Sequence, residues 1–201
     1  MSAAVGSVIA FMGMSLDGFV AGPNDEVDRI HAWVAAGDTE FRLSPADEYG
    51  FKVSRASADL LRETWTTTGA TLVGRRTFDL AGAWGGNPPG GLPTSVLTHS
   101  VPPQWAKEGS PFTFVTDGIE SAVEHARQAA GGSDIGVSGA SVIRQCLEAG
   151  LLDQIYIDLT PVLLGAGSRL FEGLDTGPLE LDRTRLVAGT AVTHLHFRVR
   201  R

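Results

Sequence analysis

Two hydrophobic periods alternate along this chain, and their order predicts the fold. The run Ser7-Val-Ile-Ala-Phe-Met-Gly-Met14 is apolar almost throughout, as a central strand covered on both faces must be. From Ser54 to Thr66 the period lengthens. Ala58, Leu61 and Trp65 recur at helical spacing with Asp59, Arg62 and Glu63 between them, which predicts an amphipathic helix. A short strand, Ala70–Gly74, then runs into a helix opening at Arg75-Arg-Thr-Phe-Asp79. Thr94–Thr98 and Phe112–Thr116 read as further strands, with a Gly- and Pro-rich loop at Ala81–Pro93 before the first of them. A helix follows from Asp117 or Gly118 to about Ala130, with Ile119, Val123 and Ala126 facing inward.

The stretch Asp134–Leu147 condenses the pattern into a buried strand, a turn of small residues at Ser138-Gly139-Ala140-Ser141, and a helix that ends at Gly150. After residue 150 the two-residue period takes over. Leu152–Leu159 alternates like a half-buried strand, Pro161–Phe171 is a glycine-punctuated connection, and Leu179–Ala188 with Ala191–Arg198 predicts an antiparallel hairpin around Gly189-Thr190. Strands alternating with helices, then strands alone, imply an α/β fold of three layers. Its central sheet is mostly parallel with an antiparallel C-terminal edge, and helices cover both faces. One stretch resists the pattern. Asn24–Gly50 reads as a long irregular loop, helical at most around Ile30–Val34, that holds His31, Trp33, Phe41, Asp47 and Tyr49. Its His and aromatics either contact a planar ligand or anchor the loop to the body, and anchoring is the expectation.

Composition narrows the function. The 201 residues, 43% hydrophobic and 19% charged, suit one globular domain without a linker or repeat. A net charge of −7 argues against a nucleic-acid partner. Only Lys52 and Lys107 are lysines, so the positive charge is nearly all arginine, the residue suited to forked phosphate contacts. Cys146 is the single cysteine, at an apolar mid-helix position that suits neither a disulfide nor catalysis. No apolar run approaches the ~20 residues that cross a bilayer and no leader pattern opens the chain, so a cytoplasmic protein without membrane contact is expected.

Candidate chemistry collects where ligands bind in parallel sheets, at the carboxyl ends of strands. Asp17 lies just past the first strand, where the ordinary role is a turn carboxylate accepting amide hydrogen bonds. Arg75 and Arg76 stand at a strand-to-helix turn, and His99 follows the Thr94–Thr98 strand. Gly139 sits in a turn small enough for backbone to approach a bulky anion, with unpaired helical amides behind it.

The motifs Ser15-Leu-Asp-Gly18, Leu72-Val-Gly-Arg-Arg-Thr-Phe78, Val96-Leu-Thr98, Val137-Ser-Gly-Ala140, Leu151-Leu-Asp153 and Pro161-Val-Leu-Leu-Gly-Ala-Gly167 with Leu170-Phe171 occur in that order over nearly the whole chain. Together they resemble the dihydrofolate reductase-like superfamily, specifically the reductase domain of the bifunctional riboflavin biosynthesis protein. The resemblance implies an NADPH-dependent reductase, a small-molecule substrate and a homodimer, whose surface Pro161–Phe171 and the terminal strands would supply. It assigns cofactor phosphates to Gly74, Arg75, Arg76 and Thr77, the 2′-phosphate to Thr98, His99 and Ser100, and the diphosphate to Val137, Ser138, Gly139, Ala140, Ser141 and Val142. Asp17 matches the loop aspartate near nicotinamide and substrate, and is the expected catalytic residue.

Departures from the family pattern limit the substrate. Ser138 stands where dihydrofolate reductases usually have glycine. There is no deaminase-like domain and no His/Cys zinc set, so no metal is expected and the bifunctional enzyme is excluded. The nearest counterpart of the helical carboxylate that binds a pterin ring is Asp59. The expected activity is hydride transfer to a small heteroaromatic or ribosyl-type acceptor, as in 5-amino-6-(5-phosphoribosylamino)uracil reductases. The alternatives are pterin reduction or cofactor binding without turnover.

Overall fold

A computed structural model describes residues 6–44 and 50–200 of the chain. Asp47 and Tyr49 lie outside the described residues. In chain order the elements are β1 (Val8–Ser15), β2 (Phe19–Ala21), α1 (Asp28–His31), β3 (Thr39–Phe41), β4 (Phe51–Val53), α2 (Arg55–Thr67), β5 (Thr68–Gly74), α3 (Arg75–Leu80), β6 (Thr94–Leu97), β7 (Phe112–Val115), α4 (Ile119–Ala130), β8 (Asp134–Ser138), α5 (Ala140–Glu148), β9 (Gln154–Thr160), β10 (Ser168–Arg169), β11 (Leu181–Gly189) and β12 (Val192–Val199). Eight strands form one sheet in the order β11-β12-β9-β1-β8-β5-β6-β7. The six strands from β9 to β7 run parallel, while β12 and β11 add antiparallel at the C-terminal edge. This is the mixed sheet that the alternation of periods predicts.

The pleat gives the sheet two different faces. Val8 and Ala10, Ile135 and Val137, Ala70 and Leu72, and Ile155 and Ile157 all point one way and join α4 and α5 in the main core. Their odd-numbered or even-numbered neighbours point the other way, because successive side chains in a strand alternate. That second face carries two smaller clusters. Trp33, Phe41, Val53, Ala58 and Val192 form one, while Phe78 packs edge-on against Phe112 and Phe114 in the other. Between them the second face is left open.

Local chemistry sets the element ends. Ser54 caps α2 by accepting the Ser57 amide at 3.2 Å. Cys146 is fully buried in α5, and burial pushes its thiol up to about 12, which suits packing rather than reactivity.

The segment read as an irregular loop is regular in short pieces. It holds α1, a 3₁₀ turn at Ala32–Ala35, and the antiparallel pair β3–β4. Four-residue helices and three-residue strands are too short to show a period, so pattern alone misses them. Trp33 and Phe41 anchor it, each 4% exposed, whereas His31 is exposed and lines the open face. Gly13 lets this segment seat on the sheet, since a Cβ there would lie 2.8 Å from Ile30 Cγ2. In the connection offered as a dimer surface, Leu163 is 69% and Phe171 38% exposed. Among the described residues no helix is long and apolar enough to cross a membrane.

Candidate functional site

The open part of the second face is a cavity of about 1190 Å³ that runs from the middle of the sheet to the carboxyl ends of β5, β6 and β8. At the strand ends its wall is Gly74, Arg75, Arg76 and Thr77, then Thr98, His99 and Ser100, then Ser138, Gly139, Ala140, Ser141 and Val142. Twelve of the sequence-derived candidates thus meet on one surface. Val137 does not join them. It is fully buried on the α4–α5 face, as alternation from Ser138 requires.

Gly139 is the hinge of this end. Its φ of +99° is a conformation that side chains resist, and a Cβ there would sit 2.7 Å from Thr77 Oγ1. The turn therefore presses the head of α5 against α3. No side chain caps α5, so its first amides keep their hydrogens for the cavity. The Ser138 hydroxyl donates sideways to the Phe11 carbonyl at 3.1 Å, tying β8 to β1. At the rim Arg75 donates to Asp79 and to the Ser100 carbonyl at 3.0 Å, and Arg76 reaches across to Asp25. Thr98 Oγ1 also donates to the Ser100 carbonyl, fixing the turn that displays His99.

These features fit a dinucleotide: uncapped helical amides for a diphosphate, a glycine cradle that any side chain would fill, and arginines at the rim.

Asp17 is placed elsewhere. Its carboxylate accepts the Ser15 hydroxyl at 2.6 Å and the amides of Leu164 and Gly165 at 3.1 and 2.7 Å, and it is not part of the cavity wall. The Ser15 hydroxyl first, and then the Gly165 and Leu164 amides, lower its pKa to about 2. The carboxylate holds the connection after β9 against the end of β1. Asp59 is likewise turned away, pairing on the exposed side of α2 with Arg55 and Arg62, while Leu60, Leu61, Thr64 and Trp65 line the cavity.

The inner half of the cavity holds residues that the sequence reading passed over. Strand pairing sets Phe11 beside Tyr156 and Gly13 beside Asp158, then His196 beside Tyr156 and His194 beside Asp158. The Tyr156 and His196 rings stack 3.5 Å apart at 6°. His194, 1% exposed, lies 2.6 Å from Asp158 Oδ1 through Nδ1 and 2.8 Å from Ser57 Oγ through Nε2. The missed signal was in the alternation of residues 154–159 and 192–198. Its polar face carries Tyr, Asp and two His, residues that line sites, in place of the Lys and Glu of a solvated face.

This row makes stability depend on pH. Burial, with the Arg185 charge second, pushes His196 down to about 4 from an ordinary 6.5. The unfolded chain takes up the proton near 6.5, and the folded chain only near 4. His196 therefore costs no stability above 6.5, and a growing amount as pH falls from 6.5 to about 4. The full loss is about 3 kcal/mol at most. Urea unfolding at neutral pH and near pH ~4 measures it, and His196→Gln should remove that share of the acid loss. An acid loss unchanged in His196→Gln would show that other groups carry it.

Comparison with known proteins agrees with the architecture. No curated protein sequence matches the chain. Among solved structures it resembles a protein from Shewanella sp. PV-4 assigned to riboflavin biosynthesis, with a TM-score of 0.72 at 20% identity over 97% of this chain and 99% of that one. The diaminohydroxyphosphoribosylaminopyrimidine deaminase/5-amino-6-(5-phosphoribosylamino)uracil reductase of Thermotoga maritima matches with a TM-score of 0.63 at 14% identity. That match spans 98% of this chain but 57% of the other, just over half of the two-activity protein. Dihydrofolate reductase from Enterococcus faecalis, in complex with NADP(H), matches with a TM-score of 0.60 at 17% identity over 98% and 99% of the two chains. At these identities the structures establish a dihydrofolate reductase-like fold. The family model described as the RibD C-terminal domain matches residues 6–195. With that span matched, the chain belongs to the RibD C-terminal domain family, a family of NAD(P)H-dependent reductases.

Proposed function

We propose that the protein is an NADPH-dependent reductase acting on a small heteroaromatic or ribosyl-type acceptor, in the manner of 5-amino-6-(5-phosphoribosylamino)uracil reductases. The observation that carries this reading is the head of α5, where uncapped amides and the Gly139–Thr77 contact form a cradle opening into a large cavity. In that cradle Gly139, Ala140, Ser141 and Val142 would take the diphosphate, and Gly74 and Thr77 would flank it. Arg75, with Thr98, His99 and Ser100 at the next strand end, would face the 2′-phosphate, and Arg76 would take part through its link to Asp25.

Bound NADPH would supply the hydride. The protein's part is to hold, orient and keep water out. Phe11, Trp65 and Tyr156 give the inner cavity flat apolar walls, and Asp158 gives it a carboxylate. We place Asp17 in a positioning role, fixing the connection from which β10 continues. The α2 face toward the cavity presents Leu60, Leu61, Thr64 and Trp65, with no carboxylate of the kind the resemblance assigns to pterin binding.

Titration with NADPH and with NADH, followed by nicotinamide fluorescence, tests the reading. NADPH should bind more tightly, and Arg75→Ala should weaken NADPH roughly tenfold while leaving NADH little changed. Failure to bind either nucleotide would overturn the proposal.

A further inference from the structure

Four side chains behind the inner cavity form a directed chain of hydrogen bonds. The Ser54 hydroxyl donates to Ser57 Oγ at 2.9 Å, and Ser57 Oγ lies 2.8 Å from His194 Nε2. His194 Nδ1 lies 2.6 Å from Asp158 Oδ1. The order serine, histidine, carboxylate is that of a nucleophile and its base, but the access is reversed. Ser57 is 1% exposed and not part of the cavity wall, so no substrate reaches it. It is the carboxylate that opens to the cavity, with its side chain 31% exposed. With the imidazole hydrogen on Nδ1, every bond points toward Asp158: Ser54 to Ser57, Ser57 to His194, His194 to the carboxylate.

Among the described residues His194 is the one hydrogen-bond partner of Asp158, so the second oxygen faces the cavity without a protein donor. Its neighbour in the row, Gly13, contributes no side chain, and the space over Gly13 is taken by Ile30 and the His31 ring, which also lines the cavity. The adjoining walls are flat. Phe11 lies 5.6 Å from Tyr156 and 6.2 Å from Trp65 between ring centres, and His196 stacks on Tyr156. A carboxylate held from behind, beside a wall of mutually packed aromatic rings, suits a donor-bearing edge of a planar ligand.

We infer that Asp158 is the specificity-determining residue of the acceptor end, and that the acceptor is a planar ring with a cationic or paired N–H edge of amidine type. His194 and Ser57 are positioning residues that fix the carboxylate. Calling the ligand the acceptor rests on the reductase reading, but the recognition chemistry does not.

Benzamidine and benzoate, of like shape and opposite charge, are the probes. Titrated into the full chain by calorimetry, benzamidine should bind more tightly than benzoate. The preference should fall roughly ten- to a hundredfold in Asp158→Asn. His194→Gln, which keeps a donor toward Asp158, should retain most of it. Equal binding of the two probes, no binding of either, or a preference that survives Asp158→Asn would overturn the assignment. Should Asp158→Asn fail to fold, nitrogen-labelled histidine spectra of the wild type decide. Benzamidine must shift the His194 ring signal and benzoate must not, and the opposite result overturns the assignment. NADPH titration of the same samples reports separately on the cofactor end, so failure there leaves this result readable.

Discussion

Gly139→Val should weaken NADPH binding by a hundredfold or more, the largest functional effect of any single change in the cavity. Two physical causes act together. At φ +99° a β-branched residue is strained by about 1–3 kcal/mol, and its Cβ would start 2.7 Å from Thr77 Oγ1. Relief requires the head of α5 to move off α3, which spreads the amides that the diphosphate needs. A loss of that size corresponds to about 3 kcal/mol of binding, comparable to one or two charge-assisted backbone hydrogen bonds. Fluorescence titration measures it, and a melting curve shows whether the variant remains folded. Gly139→Ala should fall between. Wild-type affinity in a folded Gly139→Val protein would remove the turn from cofactor binding.

His194→Ala should cost about 3–4 kcal/mol of stability, more than a surface substitution by a wide margin. The imidazole is 1% exposed and joins Ser57 to Asp158. Trp33 packs edge-on against it at 5.3 Å between ring centres. Deleting it leaves a buried hydroxyl without an acceptor, a carboxylate without a donor, and a void beside the indole. Urea unfolding reads the loss directly. His194→Gln, which can serve both neighbours, should recover a large part of it. A loss below about 1 kcal/mol for His194→Ala would mean that water replaces the ring and the chain of hydrogen bonds is not a structural unit.

Legibility from sequence followed length and chemistry. β1, α2, α4 and the β8–turn–α5 unit are long enough to display a period, and the structure has each of them. The β11–β12 hairpin was equally plain. The segment before β4 was not, because α1, β3 and β4 are three or four residues long. At the strand-end half of the cavity, the turns were readable because glycine and arginine at strand ends have few other uses. Val137 fell outside by one step of the pleat. Asp17 illustrates a different limit: a loop carboxylate can face either way, and here the amides of Leu164 and Gly165 take it. The inner end was passed over for a third reason, although the residue types on its polar face carried a signal. Alternation tells which residues share a face, but not whether water or a cavity lies against it, so Asp158, His194 and His196 looked like ordinary surface positions.

The two unequal faces of the sheet also shape how this molecule can change over evolutionary time. Tyr156, Asp158, His194 and His196 alternate with Ile155, Ile157, Leu195 and Phe197, which hold or pack on the main core. The turns at Gly74, Thr98 and Gly139 belong to other strands, at the far end of the cavity. A descendant gene can therefore vary Tyr156 and His196, and with them the wall of the inner cavity, while the apolar partners keep the sheet closed and His194 stays tied between Ser57 and Asp158. Nothing in such a drift disturbs the cradle at the head of α5. A scaffold divided in this way lets its lineages vary the inner wall while inheriting one turn at the head of α5.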